Sequence, residues 1–295
     1  MSTVSGIDRF IFTVATGRCG QSSLRDIIEA HVPGCYPAFE EPSIHTVLPR
    51  PFESYERRFR RQFIETHELL GRGKVLKAFE IGNDTFIDRT AAKRLRRIQR
   101  EMATRESAIY FDISKFFARG LHVGFLKAVG KHALVNLVRD PVCNMRSFLN
   151  RDKTFALDNN RPDASSNILR LACADMTASD FYLWAWCELN LRFEAMCQSD
   201  KVTHAVEIRT ERLQDAGYMN AAFDALSLVH SPVVSQPPSN TNRERGLNAT
   251  VVGADDIRTF EKFLDRVPTV LRSRIAYLQD YNPWAFHQLD PAAAA

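Results

Sequence analysis

The chain has 295 residues, of which 45% are hydrophobic and 25% charged, enough to bury the core of one large domain. Its net charge of +4 suits a small anionic ligand and does not indicate a nucleic-acid-binding protein, which concentrates positive charge on one face. No stretch reaches the roughly 18 to 20 apolar residues of a membrane span, and no signal pattern begins the chain, so we predict a cytoplasmic protein. The six cysteines are scattered and lack zinc-ligand spacing. We therefore predict reduced thiols and no metal.

The first elements are a strand, a glycine-containing turn and a helix. Arg9–Ala15 is short, β-branched and aromatic, which predicts a buried parallel strand. After the turn, Ser22 or Ser23 can cap a helix that runs to about His31. Cys35–Phe39 predicts a second short strand.

Strands and helices continue to alternate along the chain. Three further strands are predicted at Ala108–Asp112, Ala133–Val138 and Val202–Ile208. Helices are predicted at Phe52–Leu70, Asp88–Met102, Phe181–Cys197, Ala216–Leu228 and Ala254–Leu278. Polar loops are predicted at Asp152–Ser166 and Ser231–Asn248. The alternation predicts an α/β fold, a parallel β-sheet with helices on both faces, in a single domain of residues 1–290.

The turn Thr16–Ser23 predicts an anion-binding cradle for a phosphate or sulfate group. Backbone N–H groups of a glycine-rich turn before a helix point at one spot, and the helix dipole adds positive potential there. The turn is not a nucleoside-triphosphate P-loop, because Gly17 and Gly20 are three residues apart and no lysine follows. A plain strand-to-helix turn is the structural alternative.

The same turn leaves a phosphatase open. Cys19 and Arg25 form a Cys-x5-Arg spacing between a strand and a helix, which resembles the protein tyrosine phosphatase loop. A helix N-terminus would lower the pKa of Cys19 and favour a nucleophilic thiolate. The alternative is a cysteine that only fills space in the turn.

Two further segments favour sulfuryl transfer. The sequence Thr16-Gly17-Arg18-Cys19-Gly20-Gln21-Ser22-Ser23-Leu24 resembles the 5′-phosphosulfate loop of sulfotransferases that use 3′-phosphoadenosine 5′-phosphosulfate (PAPS), in the Gly-Arg-x-Gly form of carbohydrate and bacterial members, with departures at Cys19 and Gln21. Arg139 ends a strand and Ser147 follows eight residues later, as in the 3′-phosphate signature of that family. Asn242–Gly246 is similar to the late element that closes over the 3′-phosphate.

The resemblance implies a P-loop-like, three-layer α/β/α fold and a PAPS site without a metal. The residues it implies for donor binding are Arg18, Cys19, Gly20, Gln21, Ser22, Ser23, Arg139, Ser147, Arg243, Arg245 and Gly246. Arg18 would stabilise the leaving oxygen. The acceptor would be a hydroxyl of a sugar, glycolipid or small molecule; the sequence identifies neither the acceptor nor the oligomeric state.

The acceptor hydroxyl needs a base, and carboxylates follow the second predicted strand. Glu40 and Glu41 precede a proline there, and the family carries a Glu-Pro element at the matching place. Because adjacent strand residues point to opposite faces, only one should enter the site, and we favour Glu41. Lys115 follows the third strand and could bridge donor and acceptor; His45 is a second-choice base. A nucleotide-binding scaffold without a base is the non-enzymatic alternative.

Overall fold

A single parallel sheet organises the chain. The structure, a computed structural model, describes residues 7–41, 49, 51–52, 55–56, 59, 66–105, 107–150, 161–235 and 251–289. The strands are β1 (Arg9–Val14), β2 (Cys35–Phe39), β3 (Ile109–Ile113), β4 (His132–Val138) and β5 (Val202–Arg209). They pair in the order β2-β3-β1-β4-β5, and every pairing is parallel. The predicted parallel α/β sheet is therefore confirmed, with β1 at its centre.

Helices connect these strands. They are α1 (Gln21–His31), α2 (Thr66–Leu69), α3 (Lys74–Glu80), α4 (Asp84–Arg105), α5 (Leu121–Ala128), α6 (Pro141–Leu149), α7 (Ala178–Cys197), α8 (Ala216–Ala225), α9 (Ala254–Leu264), α10 (Thr269–Arg272) and α11 (Pro283–His287). Short 3₁₀ turns lie at Phe117–Arg119, Thr210–Arg212 and Ala276–Leu278. No described helix is both long enough and apolar enough to cross a bilayer.

Alternation along the strands builds a core on each face of the sheet. Ile11 of β1 packs with Ile28 of α1 and Phe223 of α8 on one face. Phe12, its neighbour, packs with Phe125 of α5 on the other, where α4 also contributes. Successive strand residues point to opposite faces, so a strand that is apolar throughout is buried on both sides. The predicted helices on both faces are confirmed.

Two predicted helix boundaries are wrong. The long C-terminal helix ends at Leu264, and α10 begins after Pro268, because proline lacks a backbone N–H and disfavours helix in the residue before it. The first helix begins at Gln21 with Gly20 as its N-cap, so Ser22 and Ser23 lie inside its first turn. The predicted helix over 52–70 and the loop over 152–166 fall largely outside the described residues.

Candidate active site

The turn between β1 and α1 has an unusual backbone. Gly17, Arg18 and Gly20 all have positive φ, at 93°, 61° and 78°. Left-handed geometry is uncommon outside glycine, and at Arg18 it must be held by the surroundings. Among the described residues no side chain caps the N-terminus of α1. The first N–H groups of a helix have no intrahelical acceptor, so they and the dipole present positive potential at this end.

Four consecutive carbonyl groups of this turn are each held by a different side chain. Arg119 Nη2 donates to Thr16 O at 2.9 Å and Asn144 Nδ2 to Gly17 O at 3.0 Å. Arg139 Nη1 donates to Arg18 O at 3.1 Å and Thr210 Oγ1 to Cys19 O at 2.8 Å. We call these four donors the carbonyl clamps. The clamps fix the orientation of these peptide units, and the N–H of each unit points away from its held carbonyl. The N–H of Gly17 faces the buried Cys19 thiol, so those of Arg18, Cys19 and Gly20 are the candidates for binding an anion.

Three of the four clamps were not predicted from the sequence. Arg119 lies in an otherwise apolar stretch and is 5% exposed, and Asn144 is buried on the inner face of α6. Thr210 follows β5 directly. A buried polar residue in an apolar setting is the signal that could have found Arg119 and Asn144, because such groups are hydrogen-bonded. Nothing local marks Thr210.

The two segments of the predicted 3′-phosphate signature lie against the turn. Arg18 Nε donates to Ser147 Oγ at 3.3 Å, and Ser147 is buried. Arg139 forms no ion pair with any residue that the structure describes, although Asp140 is adjacent in sequence. Asp140 instead caps α6 by accepting from Cys143 N at 2.6 Å, and it also contacts Tyr281 and His287. The guanidinium of Arg139 therefore lies at the cradle outside any ion pair with a described acid, although Glu211 is near enough to interact with its charge.

Glu40 and Lys115 form an ion pair beside the cradle. Lys115 Nζ lies 2.7 Å from Glu40 Oε1, and both side chains keep roughly a quarter to a third of their surface exposed. A Cβ on Gly17 would lie 2.8 Å from Lys115 Cδ, so the lysine stem packs directly on the turn. Burial lowers the pKa of Lys115, and the charges of Arg119 and Arg72 act in the same direction, while Glu40 opposes them. The pair offers a cation and a carboxylate at one edge of the anion site.

Glu41 points elsewhere. Glu40 has a φ of 47°, so the chain turns between the two glutamates and their side chains diverge. Tyr36 donates a hydrogen bond to Glu41, and the Glu101 carboxyl lies close enough to influence it. Burial raises the pKa of Glu41, and Glu101 adds to the rise. The assignment of Glu41 as the base stays a prediction, but Glu40 is the carboxylate that contacts Lys115.

Cys19 has the opposite environment to a nucleophilic cysteine. It is fully buried, and burial raises its pKa despite hydrogen bonds from the turn and the charge of Arg139. A reactive cysteine needs a lowered pKa and access to its substrate. Arg25 pairs with Asp26 at 2.5 Å and lies over the Phe39 ring. The geometry therefore does not favour the phosphatase.

Other predicted site residues are inside the turn or outside the described residues. Gln21 is buried at the start of α1, and its Nε2 has no hydrogen-bond partner among the described residues. His45, Arg243, Arg245 and Gly246 fall in segments that the structure does not describe.

One described group could hold a metal, Asp140 with Cys143 and His287, whose ligand atoms lie within 4.8 Å of one another. The expectation of no metal stays a prediction.

No family model matches the chain, and no curated protein matches it. Among solved structures, the chain is similar to the sulfotransferase domain from the Synechococcus PCC 7002 olefin synthase, with 15% identity and a TM-score of 0.43 over 89% of this chain and 97% of that one. A similarity at this level does not establish a function.

Proposed function

We propose that the protein transfers a sulfuryl group from PAPS to a hydroxyl of a sugar, glycolipid or small-molecule acceptor. The observation that carries the proposal is the clamped turn: four carbonyls held by side chains, a helix N-terminus behind them and, at its side, Arg139, which forms no ion pair with a described acid. Such a site suits a ligand with several anionic groups. The sequence resemblance supplies the identity of that ligand.

The residues present fit the donor. The turn from Arg18 to Ser23, including Cys19, Gly20, Gln21 and Ser22, would hold the 5′-phosphosulfate, chiefly through backbone N–H groups. Arg139 and Ser147 would bind the 3′-phosphate, together with the late-loop residues Arg243, Arg245 and Gly246. The proposed domain remains the predicted one, residues 1–290. No step requires a metal ligand set in this proposal.

The chemistry at the ion pair follows from its charges. The donor supplies the sulfuryl group, whose sulfur–oxygen bond to the 5′-phosphate breaks as the acceptor oxygen bonds to sulfur. Glu40 accepts the proton of the acceptor hydroxyl, because it is the carboxylate at the cradle edge. Lys115 and Arg18 stabilise the negative charge that shifts to the bridging oxygen. Positioning and charge stabilisation provide most of the rate enhancement in the related phosphoryl transfers.

Donor binding is tested with the desulfated product, adenosine 3′,5′-bisphosphate (PAP). A ligand that binds only the folded state raises the melting temperature, so millimolar PAP should do so for the wild type. Arg139→Ala should reduce the shift, whereas Arg96→Ala, at an exposed position of α4, should not. An unchanged melting temperature in wild type with PAP would reject the proposal.

The base is tested with paired variants. Glu40→Gln should keep the PAP shift and lower transfer to a panel of hydroxyl acceptors by about a hundredfold or more, as expected when a general base is lost. Glu41→Gln should lower transfer far less than Glu40→Gln does. The reverse result would make Glu41 the base, as the sequence predicts. PAP binding without transfer to any acceptor by the wild type would indicate the non-enzymatic scaffold.

A further inference from the structure

A cavity separate from the cradle lies on the outer edge of β2. We call it the β2 groove; its volume is about 650 Å³, within the roughly 300 to 1,000 Å³ of small-ligand sites. Its lining includes Arg25, Tyr36, Phe39, Glu41, Arg105 and Ser107. The groove wraps around the edge strand, since Phe39 packs toward the core that holds α1 and Tyr36 toward the core that holds α4. None of the clamped turn lines it.

The groove contains a guanidinium suited to an anion. The Arg105 guanidinium lies over the Tyr36 ring, with its central carbon 4.1 Å from the ring centroid, and it makes no hydrogen bond or ion pair with a described residue. A guanidinium stacked on an aromatic ring keeps its N–H fork for a carboxylate or sulfate. Arg25, over Phe39 in the same groove, is already paired with Asp26. Arg105 is therefore the anion-binding group of the groove.

The opposite end of the same tyrosine offers a hydrogen-bond partner. The ring of Tyr36 contacts Arg105, and its hydroxyl donates a hydrogen bond to Glu41. The anion-binding group and the carboxyl group are therefore separated by about one aromatic ring. Glu29 and Ser107 add polar atoms to the lining. Carboxyl and hydroxyl groups accept hydrogen bonds from sugar hydroxyls, and aromatic rings supply flat apolar surface.

A peptide strand is not the occupant that the groove favours. Pro37 lies in the middle of β2, an edge strand of the sheet. Proline has no N–H to offer and blunts a sheet edge against the addition of another strand. The mixture of one open guanidinium, two carboxyl groups and two aromatic rings suits a compact hydroxylated anion.

We propose that the β2 groove binds the acidic part of the acceptor, a carboxylate-bearing sugar, with its carboxylate on Arg105 and a hydroxyl on Glu41. The inference rests on the proposed sulfuryl transfer for the ligand's role as acceptor. Glu40 connects the two sites: it follows Phe39 of the groove, precedes Glu41, and contacts Lys115 at the cradle. The Glu40 carboxyl itself does not line the groove, so the acceptor would extend from Glu41 around this turn of the chain to bring a second hydroxyl to Glu40.

The test uses a matched pair of probes, methyl β-D-glucuronide and its uncharged counterpart methyl β-D-glucoside, titrated calorimetrically into the full chain saturated with PAP. Wild type should bind the glucuronide about tenfold more tightly, the effect of one charge-assisted contact. Arg105→Gln should remove the preference and Arg105→Lys, which keeps charge without the fork, should retain part of it. Arg100→Gln, on the same helix and outside the groove, should behave as wild type.

Each outcome separates the two proposals. Equal binding of both probes, no binding of either, or the same loss in Arg100→Gln as in Arg105→Gln overturns the groove assignment. A glucuronide preference that depends on Arg105 supports it, and this part of the titration can be repeated without PAP. Failure of PAP to raise the melting temperature rejects sulfuryl transfer while leaving the groove result standing.

Discussion

The cradle and the β2 groove adjoin at two consecutive glutamates but are built in opposite ways. The cradle is a stretch of backbone whose carbonyls are held by side chains from distant elements, up to 191 residues away in sequence. The groove is formed by side chains, mostly of one edge strand and of the two helices beside it. A site made of backbone groups tolerates changes of side chain but not changes of its backbone dihedral angles. A site made of side chains depends instead on which side chains are present.

The largest expected effect comes from adding one methyl group to the cradle. Gly17→Ala places a Cβ at a φ of 93° and 2.8 Å from Lys115 Cδ. The left-handed conformation alone costs roughly 1–2 kcal/mol for a residue with a Cβ. We expect the apparent affinity for PAP, measured by titration of the melting temperature, to fall at least about tenfold.

Gly34→Ala is the matched control. Gly34 also has positive φ, 70°, but a Cβ there meets nothing within 4 Å. It should lower the melting temperature through backbone strain and leave PAP affinity unchanged. If the affinity for PAP falls equally in both variants, PAP binding does not depend on the backbone geometry of the cradle. The contrast with the groove would then be wrong.

A smaller effect is expected in the groove and depends on pH. Because the pKa of Glu41 is raised in the folded state, its contribution to stability is present below the ordinary pKa of 4.5 and is lost as the pH rises through the raised value. Glu41→Gln mimics the protonated form. The variant should melt about 1–2 °C above wild type near pH 8, since solvent screens a partly exposed carboxyl, with the difference vanishing toward pH 4.

The control for Glu41→Gln is Glu29→Gln, which makes the same change of net charge in the same groove. A melting-temperature difference that is independent of pH in Glu41→Gln would show that burial does not set the protonation of this carboxyl. PAP affinity should stay unchanged in both variants, because neither side chain reaches the cradle.

The smallest effects concern the Cys-x5-Arg spacing. Arg25 is 40% exposed and paired with its neighbour Asp26, and exposed pairs contribute about 0–1 kcal/mol. Arg25→Gln should therefore change stability by less than about 0.5 kcal/mol in chemical denaturation and leave the PAP shift intact. We expect no hydrolysis of p-nitrophenyl phosphate that depends on Cys19. Hydrolysis by the wild type that is lost in Cys19→Ser would contradict this expectation and support the phosphatase hypothesis.

The central part of the fold is predictable from the sequence. The segment Arg9–Ala15, the glycine turn and the helix after it are local signals: an apolar strand, positive-φ residues and a helical period. The pairing of Arg139 and Ser147 with the turn follows from parallel topology, since the carboxyl ends of β1 and β4 meet at one edge. These elements need no knowledge of distant contacts.

The choice between the two glutamates is not predictable in the same way. Alternation applies within a strand, but β2 ends at Phe39, and Glu40 adopts a left-handed conformation after it. That single dihedral angle sends Glu40 toward Lys115 and Glu41 toward Tyr36. The carbonyl clamps are equally invisible, because a side chain that reaches a backbone oxygen more than a hundred residues away leaves no spacing in the sequence.

The carbonyl clamps also constrain how the protein folds. The carbonyls of Thr16 through Cys19 bond to partners from four later segments, the last at Thr210, so these hydrogen bonds form only once those segments have docked. Loop closure over such separations is slow and entropically costly, so the site matures after the sheet has assembled. Binding of an anion in the cradle therefore requires that the whole sheet has assembled. A bound anion would in turn slow the local unfolding of segments that do not contact it.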